Sequence, residues 1–366
     1  MTHSPVAEQL NSLLEYFGSE KCSDIHLSAR RGVWFVKDKA TLAHPDYPVM
    51  PQEFINQIIE EFVPGGIAKF EEHQQGDASF DIGGNFRGRI AARKTLAGAT
   101  ITIRIITRDI PTVEQLNLPE SLIDAANRPA GLFLFTGQTG SGKSTSIAAL
   151  LNKINLEQPS AIYTLEAPIE FVYPDGKSLV NQREIGAHVD SFAVGVENAK
   201  RSHPKIILVG EILSPETARS AIVAAASGHM VVSTMHAGST AETIDGLISM
   251  FPPSEQALIR TQLSQVLIGI VVQQLLPKVG GGMAMAQEIA FNTRAFSEII
   301  LGSDMKLAQA HLLGTGRQDR MVAMEASLAE LVKAESITPE LAMKMARDQR
   351  TMNDLLTQAG FTPAKG

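Results

Sequence analysis

Residues 137–144 read Gly137-Gln138-Thr139-Gly140-Ser141-Gly142-Lys143-Ser144. The run meets the pattern G-x-x-x-x-G-K-[ST] at every position, and the chemistry of that pattern is phosphate binding. Glycines let successive backbone N–H groups curl around an anion, and a helix beginning at the loop adds the positive end of its dipole. Lys143 is placed to neutralise the β- and γ-phosphates of a nucleotide, Ser144 to hold Mg²⁺, and Thr145 to continue the contact into the helix. The flanks agree. Gly131-Leu-Phe-Leu-Phe-Thr reads as a buried strand, and Ser144-Thr-Ser-Ile-Ala-Ala-Leu-Leu opens a helix. Hydrolysis also needs an acidic group, and Lys205-Ile-Ile-Leu-Val-Gly-Glu211 supplies one. Its apolar run predicts a buried strand, with the Glu211 carboxylate emerging at the C-terminal end, where ligands bind in open α/β sheets. Glu211 is therefore expected to orient the attacking water as general base and, through water, to share the metal with Ser144. Read alone, it is equally a helix cap or a surface carboxylate.

Elements of two kinds must position these groups. Val6, Leu10, Leu13, Leu14 and Phe17 recur at helical spacing over residues 1–17. Strand-like pieces follow at 24–28 and 32–37, then a helix carrying Phe54, Ile55, Ile58, Ile59 and Phe62 on one face. From Asp77 the period is two, Gly83-Gly84-Asn85 signals a hairpin, and the chain returns over 86–94 before a further strand at 99–107. The expectation is a small α+β domain over 1–107. Residues 108–119 hold two prolines and little periodicity, and read as a linker. Strand–loop–helix units then repeat, with central strands expected at 132–136, 161–165, 206–209 and 230–234. This is the pattern of an α/β domain with a parallel sheet, assigned to 120–294. Gly280-Gly281-Gly282 reads as a hairpin turn, and 295–366 as helices ending in a polar tail.

Composition narrows the function classes. The 366 residues are 44% hydrophobic and 19% charged, so the chain reads as globular. A formal charge of −7 and an isoelectric point near 5.8 argue against a nucleic-acid motor. One cysteine, Cys22, excludes a disulfide framework and a multi-cysteine zinc site. The N-terminus has neither a basic region nor an apolar one, so no signal peptide is expected. Two charge-free stretches, 220–241 and 261–277, carry histidine, hydroxyl or glutamine groups that a bilayer core penalises, and read as buried segments of a soluble protein.

The phosphate loop is followed in order by Thr164-Leu-Glu166-Ala-Pro168-Ile-Glu170-Phe, by Leu208-Val-Gly-Glu211, and by Gly228-His229-Met-Val-Val-Ser-Thr-Met-His236. This ordered set resembles the PilT/GspE-type secretion and type IV pilus ATPases. Ser23-Asp24-Ile-His26-Leu resembles the opening of the retraction-type members, and Gln273-Gln-Leu-Leu-Pro277 their post-motor segment. The resemblance implies a PAS-like N-terminal domain, a RecA-like P-loop motor and C-terminal helices. It also implies a homohexamer that hydrolyses ATP with Mg²⁺ and docks in the cytoplasm on an inner-membrane platform protein, with no direct nucleic acid. Residue by residue, Glu166 and Glu170 match the family's acidic box, His229 and His236 its two histidines, and Arg89 and Arg104 its N-terminal-domain arginines.

Beside these roles stand plainer ones. Glu170 alone is a surface carboxylate. His229 and His236 lie seven apart, on opposite faces of a strict strand, and each alone is a satisfied structural histidine. Arg87, Arg89 and Arg93 share one strand face and are placed to pair with Asp77 and Asp81. The sequence also departs from the family. Ala167 stands for the usual Asp, Ile212-Leu213-Ser214 for hydrophobic-Arg-Asp, Arg201-Ser-His-Pro-Lys205 for Arg-Gln-Asp-Pro-Asp, and the motif at 311–316 is altered. Residues 166–173 look like the DotB-like ATPases of type IVB secretion. The alternative function is a divergent nucleotide-binding ring subunit with little hydrolysis.

Overall fold

The computed structural model describes residues 4–29, 31–37, 40–314 and 318–361. The first residues of the expected N-terminal helix, the end of the 311–316 motif and most of the polar tail lie outside them. The chain divides into two compact units, Met1–Ile110 with Pro168–Val172, and Pro111–Ala167 with Tyr173–Gly366.

The first unit opens with α1 (Pro5–Ser19), where Ser4 caps the helix by accepting from Ala7 N at 3.0 Å and Pro5 occupies the first turn. Then come β1 (Asp24–Ser28), β2 (Trp34–Lys37), β3 (Ala40–Ala43), α2 (Gln52–Phe62), α3 (Gly66–His73), β4 (Gln75–Phe80), β5 (Phe86–Thr95) and β6 (Gly98–Thr107). The sheet runs β3-β2-β1-β6-β5-β4, with every neighbouring pair antiparallel. Leu10, Leu13, Leu14 and Phe17 of α1 and Ile55, Ile58 and Ile59 of α2 fill one core with Ile25, Ile90, Ile101 and Ile103 of the sheet. Gly83 and Gly84 take positive φ at the β4–β5 hairpin, as the turn signal predicted. Strand β3 and helix α3 have no clear sequence signature. The whole of β3 is exposed, so no apolar alternation marks it.

The second unit carries α4 (Glu120–Ala126), β7 (Gly131–Thr136), α5 (Lys143–Glu157), β8 (Ala161–Glu166), β9 (Leu179–Glu184), α6 (Phe192–Lys200), β10 (Ile206–Val209), α7 (Pro215–Ala226) and β11 (Met230–Met235). It continues with α8 (Thr240–Ser249), α9 (Pro253–Val266), β12 (Leu267–Pro277), β13 (Met283–Phe291), α10 (Arg294–Gly302), α11 (Lys306–Leu313), α12 (Met324–Lys333), α13 (Pro339–Met345) and α14 (Gln349–Gln358). The sheet order is β13-β12-β7-β11-β10-β8-β9. All neighbours are parallel except the β12–β13 hairpin. Strands β7, β10 and β11 are buried at every position, as continuous apolar runs in a two-sided parallel sheet require.

Several expected features take a different form. Stretch 108–119 is no free tether, since Val113 and Leu118 are buried in the second unit's core. The C-terminal helices share that core as well, through Phe296, Leu312, Leu328 and Met352. Val322 bridges Ile289, extending the sheet past β13. Stretch 220–241 divides between α7, β11 and α8, and 261–277 between α9 and β12. No helix among the described residues is long and apolar enough to cross a membrane.

Phe133 and Phe135 are wholly buried in β7, with ring centroids 5.0 Å apart in an edge-on arrangement. Phe133→Ala leaves a cavity in the central strand and is expected to destabilise the second unit by about 3–5 kcal/mol. Urea unfolding checks this, and a loss below about 1 kcal/mol contradicts a close-packed core at that strand.

Candidate nucleotide site

The loop between β7 and α5 is built for an anion. Gly137, Gly140 and Gly142 have φ of 141°, 76° and 88°. Gly142 is the N-cap of α5 and provides no side-chain cap, so the first helical N–H groups face outward without a side-chain acceptor. The Gly137 position tolerates nothing larger. A Cβ there would lie 2.4 Å from Gln273 O and 2.6 Å from Ser141 Oγ. Gln138, Thr139 and Gly140 are exposed at the tip, and Ser144 and Thr145 are half-buried. Lys143 is 8% exposed, and its Nζ donates to Gly137 O at 2.8 Å and Gln138 O at 3.1 Å, folding back along the loop. Ser141 Oγ is buried without a hydrogen-bond partner among the described residues. A glycine cradle, an open helix N-terminus and a buried ammonium together fit the phosphates of a nucleotide.

Glu211 is held by backbone on both sides. Past the end of β10, Gly210 N donates to Leu165 O at 2.7 Å and Ile212 N to Thr234 O at 3.0 Å. Thr234 Oγ1 returns a bond to Gly210 O at 2.7 Å, and Ser233 Oγ bonds Val209 O at 2.6 Å. Gly210 suits this close approach, because a Cβ there would lie 3.0 Å from Leu165 O. The half-buried Glu211 carboxylate meets His236, with Nε2 2.6 Å from Oε1. That approach is not aligned as a hydrogen bond, and Oε1 has no other partner among the described residues. The carboxylate thus keeps acceptor capacity beside a histidine.

Glu166 ends β8. Its Oε1 accepts from Thr164 Oγ1 at 2.6 Å and Gln182 Nε2 at 3.1 Å. Gln182 Oε1 in turn accepts from Tyr173 N at 3.1 Å. Burial, then the charge of Glu166, pushes the Tyr173 phenol well above its usual value, so the ring stays neutral. The P-loop, Glu211, His236 and Glu166 therefore stand at the C-terminal ends of β7, β10, β11 and β8, four adjacent parallel strands. Sequence reasoning placed each of them in the site.

Other expected residues fall elsewhere. His229 does not join His236. It precedes β11 while His236 follows it, and the six residues of that strand span about 20 Å. His229 is buried, with Nδ1 2.7 Å from Pro204 O, the bond of a structural histidine. Its partner is set by the loop after α6, which strand-face reasoning cannot see. Glu170 is exposed, makes no ion pair among the described residues, and belongs to the segment that groups with the first unit. In that unit Arg93 pairs with Asp77 at 3.0 Å and Arg87 with Asp81 at 3.5 Å, the plainer alternative. Arg104 Nε meets Asp24 Oδ1 at 3.0 Å. Arg89 has no ion pair among the described residues and is the direct cross-strand neighbour of Arg104.

Sequence reasoning missed part of the site's surroundings. Gln273, fully buried in β12, donates to Ser146 Oγ of α5 at 2.8 Å. A glutamine inside an apolar strand was the available signal. A cleft of about 270 Å³ opens beside Gly142, Thr145 and Ser146, walled by Leu275, Met283 and Met285. Among the described residues no group of three or more His, Cys, Asp or Glu is placed to hold a metal. Mg²⁺ often relies on one or two protein ligands plus substrate phosphates and water, and Ser144 with Glu211 is compatible with that habit.

Comparison with known proteins agrees along nearly the whole length. The family described as type II/IV secretion system protein matches residues 1–360. The type IV pilus retraction ATPase PilT of Pseudomonas aeruginosa is 35% identical over 340 residues, covering 92% of this chain and 98% of that protein. The crystal structure of the pilus retraction motor PilT with bound ADP superposes with a TM-score of 0.87 at 32% identity, over 96% of this chain and all of that one. The Legionella pneumophila ATPase DotB gives a TM-score of 0.78 at 25% identity, covering 94% of this chain and 96% of that one.

The loop geometry carries a direct consequence. Gly137→Ala forces a Cβ into the Gln273 carbonyl at a φ hostile to side chains. It is expected to weaken magnesium-nucleotide binding by roughly tenfold or more, a loss of about 1.4 kcal/mol or greater. Isothermal titration checks this, and unchanged affinity means that the loop does not hold the phosphates.

Proposed function

The chain belongs to the type II/IV secretion system protein family, and from that premise we propose that it is a motor ATPase hydrolysing Mg²⁺-ATP to drive a type IV pilus of the retraction kind or a type IVB secretion or conjugation machine. The observation that carries this reading is the gathering of the P-loop, Glu166, Glu211 and His236 at one edge of the parallel sheet, in a chain of which 92% matches a pilus retraction ATPase.

In this reading the amides of 137–144 and the Lys143 ammonium bind the β- and γ-phosphates, and the cleft beside Thr145 receives the nucleoside. Glu211 accepts a hydrogen bond from a water and aims its oxygen at the γ-phosphorus. As the water oxygen bonds to the γ-phosphorus, the bond from the γ-phosphorus to the bridging oxygen breaks, ADP leaves with the electron pair, and the water's proton passes to the phosphate or the carboxylate. His236 steadies the carboxylate, and Glu166 supports the same edge. Mg²⁺, held by Ser144 and through water by Glu211, would neutralise phosphate charge. Arg89, Arg104 and Glu170 are assigned to the nucleotide by resemblance. The side-by-side placement of Arg89 and Arg104 supports the two arginines, since Asp24 pairs with Arg104 and Arg89 has no ion pair among the described residues. His229 has no such support.

The same reading makes the protein a homohexamer, cytoplasmic and peripheral at the inner membrane through a platform protein, without direct nucleic acid. The second reading, a ring subunit that binds nucleotide with little turnover, is favoured by Leu213. It follows the catalytic carboxylate by two residues, 67% exposed, at the place of the family's arginine.

Steady-state Mg²⁺-ATP hydrolysis by the wild type beside Glu211→Gln decides between them. The motor reading expects turnover that falls at least about 100-fold in the variant and ceases with a chelator. Absence of turnover in a nucleotide-binding wild type favours the passive ring subunit. Arg104→Ala is expected to lower kcat by roughly 10-fold or more while nucleotide affinity changes by less than about threefold. Equal loss of both contradicts a role confined to the transition state.

A further inference from the structure

The loop 236–239 joins β11 to α8, and its first residue is the histidine that touches Glu211. The second half of this loop is gripped by an ion pair outside the motif sequence, a buried carboxylate and a partly exposed guanidinium. Glu288, 2% exposed in β13, accepts from Thr240 N through Oε1 at 2.8 Å. Its other oxygen, Oε2, meets Nη1 of Arg347 at 2.5 Å. Nη2 of Arg347 donates to Gly238 O. One guanidinium fork thus ties the carbonyl of Gly238 to the carboxylate that holds the amide two residues later. Gly238 N is itself bonded to Glu242 Oε2 at 2.8 Å.

Arg347 lies between α13 and α14, far along the chain. Its place is set from behind by Glu325 of α12, which has no solvent exposure. Glu325 Oε1 accepts from the backbone N–H of Arg347 at 3.2 Å and of Asp348 at 3.1 Å. Asp348 then caps α14, bonding Arg350 N, Thr351 N and Thr351 Oγ1 at 3.0, 3.1 and 2.7 Å. The C-terminal helices therefore present one side chain to the loop and anchor it at its own backbone. Beside the loop lies a cleft of about 380 Å³ lined by Ser239, Thr240, Glu288, Lys306 and Arg347. The loop has room to move once the fork is gone.

A buried carboxylate paired only for stability needs a single cation. Here the cation spans two acceptors of different kinds, and only a planar fork meets both. We propose that Arg347 is a positioning residue for hydrolysis. Through Glu288 and Gly238 it fixes loop 236–240, and with it the stand of His236 against Glu211, so that turnover answers to the packing of the C-terminal helices. The consequence for turnover rests on the ATPase reading above; the constraint on the loop does not.

The test uses the full-length protein with two readouts. Backbone hydrogen exchange over 236–242 is followed without nucleotide, and kcat and KM for Mg²⁺-ATP are measured. Arg347→Met strands the Glu288 charge and is at risk of misfolding, so Arg347→Met with Glu288→Gln removes both charges together. In the double variant, exchange over 236–242 is expected to rise roughly tenfold while β7 stays protected. The value of kcat should fall roughly 10- to 100-fold with KM within about twofold. Arg347→Lys keeps the charge on Glu288 but not the fork, and should restore the melting temperature without restoring kcat. Unchanged exchange at 236–242 overturns the proposal. So does increased exchange throughout the second unit, which marks a purely structural role, and so does faster loop exchange with an unaltered kcat. A wild type that does not turn over removes the ATPase reading instead, and the loop constraint then stands or falls on exchange.

Discussion

The site depends on one constraint, the in-register parallel pairing of β8, β10, β11 and β7. Val209 stands level with Leu165 on one side and Ser233 on the other, and Met235 with Thr136. Four strands consequently end at one edge, and each ends in a chemically active group. The ladder continues past β10 through Gly210 and Ile212, so the Glu211 backbone is fixed by bonds to both neighbouring strands before its side chain is considered. A carboxylate placed in this way loses little freedom on meeting a substrate, which is what preorganisation for hydrolysis requires. The open end of α5 faces the same edge because β7 and α5 are joined by a loop whose glycines accept positive φ.

The first unit spends stability in a different manner. Directly opposed arginines on one sheet face cost a few tenths of a kcal/mol or more, yet Arg89 and Arg104 are cross-strand partners. Asp24 answers one of them, while Arg87 and Arg93 on the neighbouring positions are matched with Asp81 and Asp77. A local rule broken at one pair and kept at the pairs beside it is a feature expected of functional surfaces.

Polar groups inside the second unit follow a common logic. Gln273, Glu288 and Glu325 are buried among apolar residues and would each be costly alone. Each instead joins segments far apart in sequence: β12 to the phosphate-loop helix, β13 to the start of α8, and α12 to the turn before α14. Packing by itself is tolerant of small slides. Directional bonds at these three places are not, and they fix how the C-terminal helices and the hairpin meet the C-terminal edge of the sheet.

Much was legible in the residues themselves. The P-loop, the strand ending in Glu211, the apolar runs of β7, β10 and β11 and the hairpin glycines all act over a few neighbouring positions. Local backbone geometry and burial are encoded by residue type at short range. The phosphate chemistry and the fold class therefore needed the sequence alone. What it left open were pairings across long separations. His229 and His236 look alike in one motif, yet strand length sends them to opposite ends of β11. The arginines of β5 and β6 share a face, but only the register decides which meet carboxylates. The exposed strand β3 carries no periodicity to read, and Arg347 carries no motif at all. Its tie to Gly238 exists because α12 and α13 return the chain to the sheet. Such contacts depend on where distant segments come to rest, and only the folded core determines that.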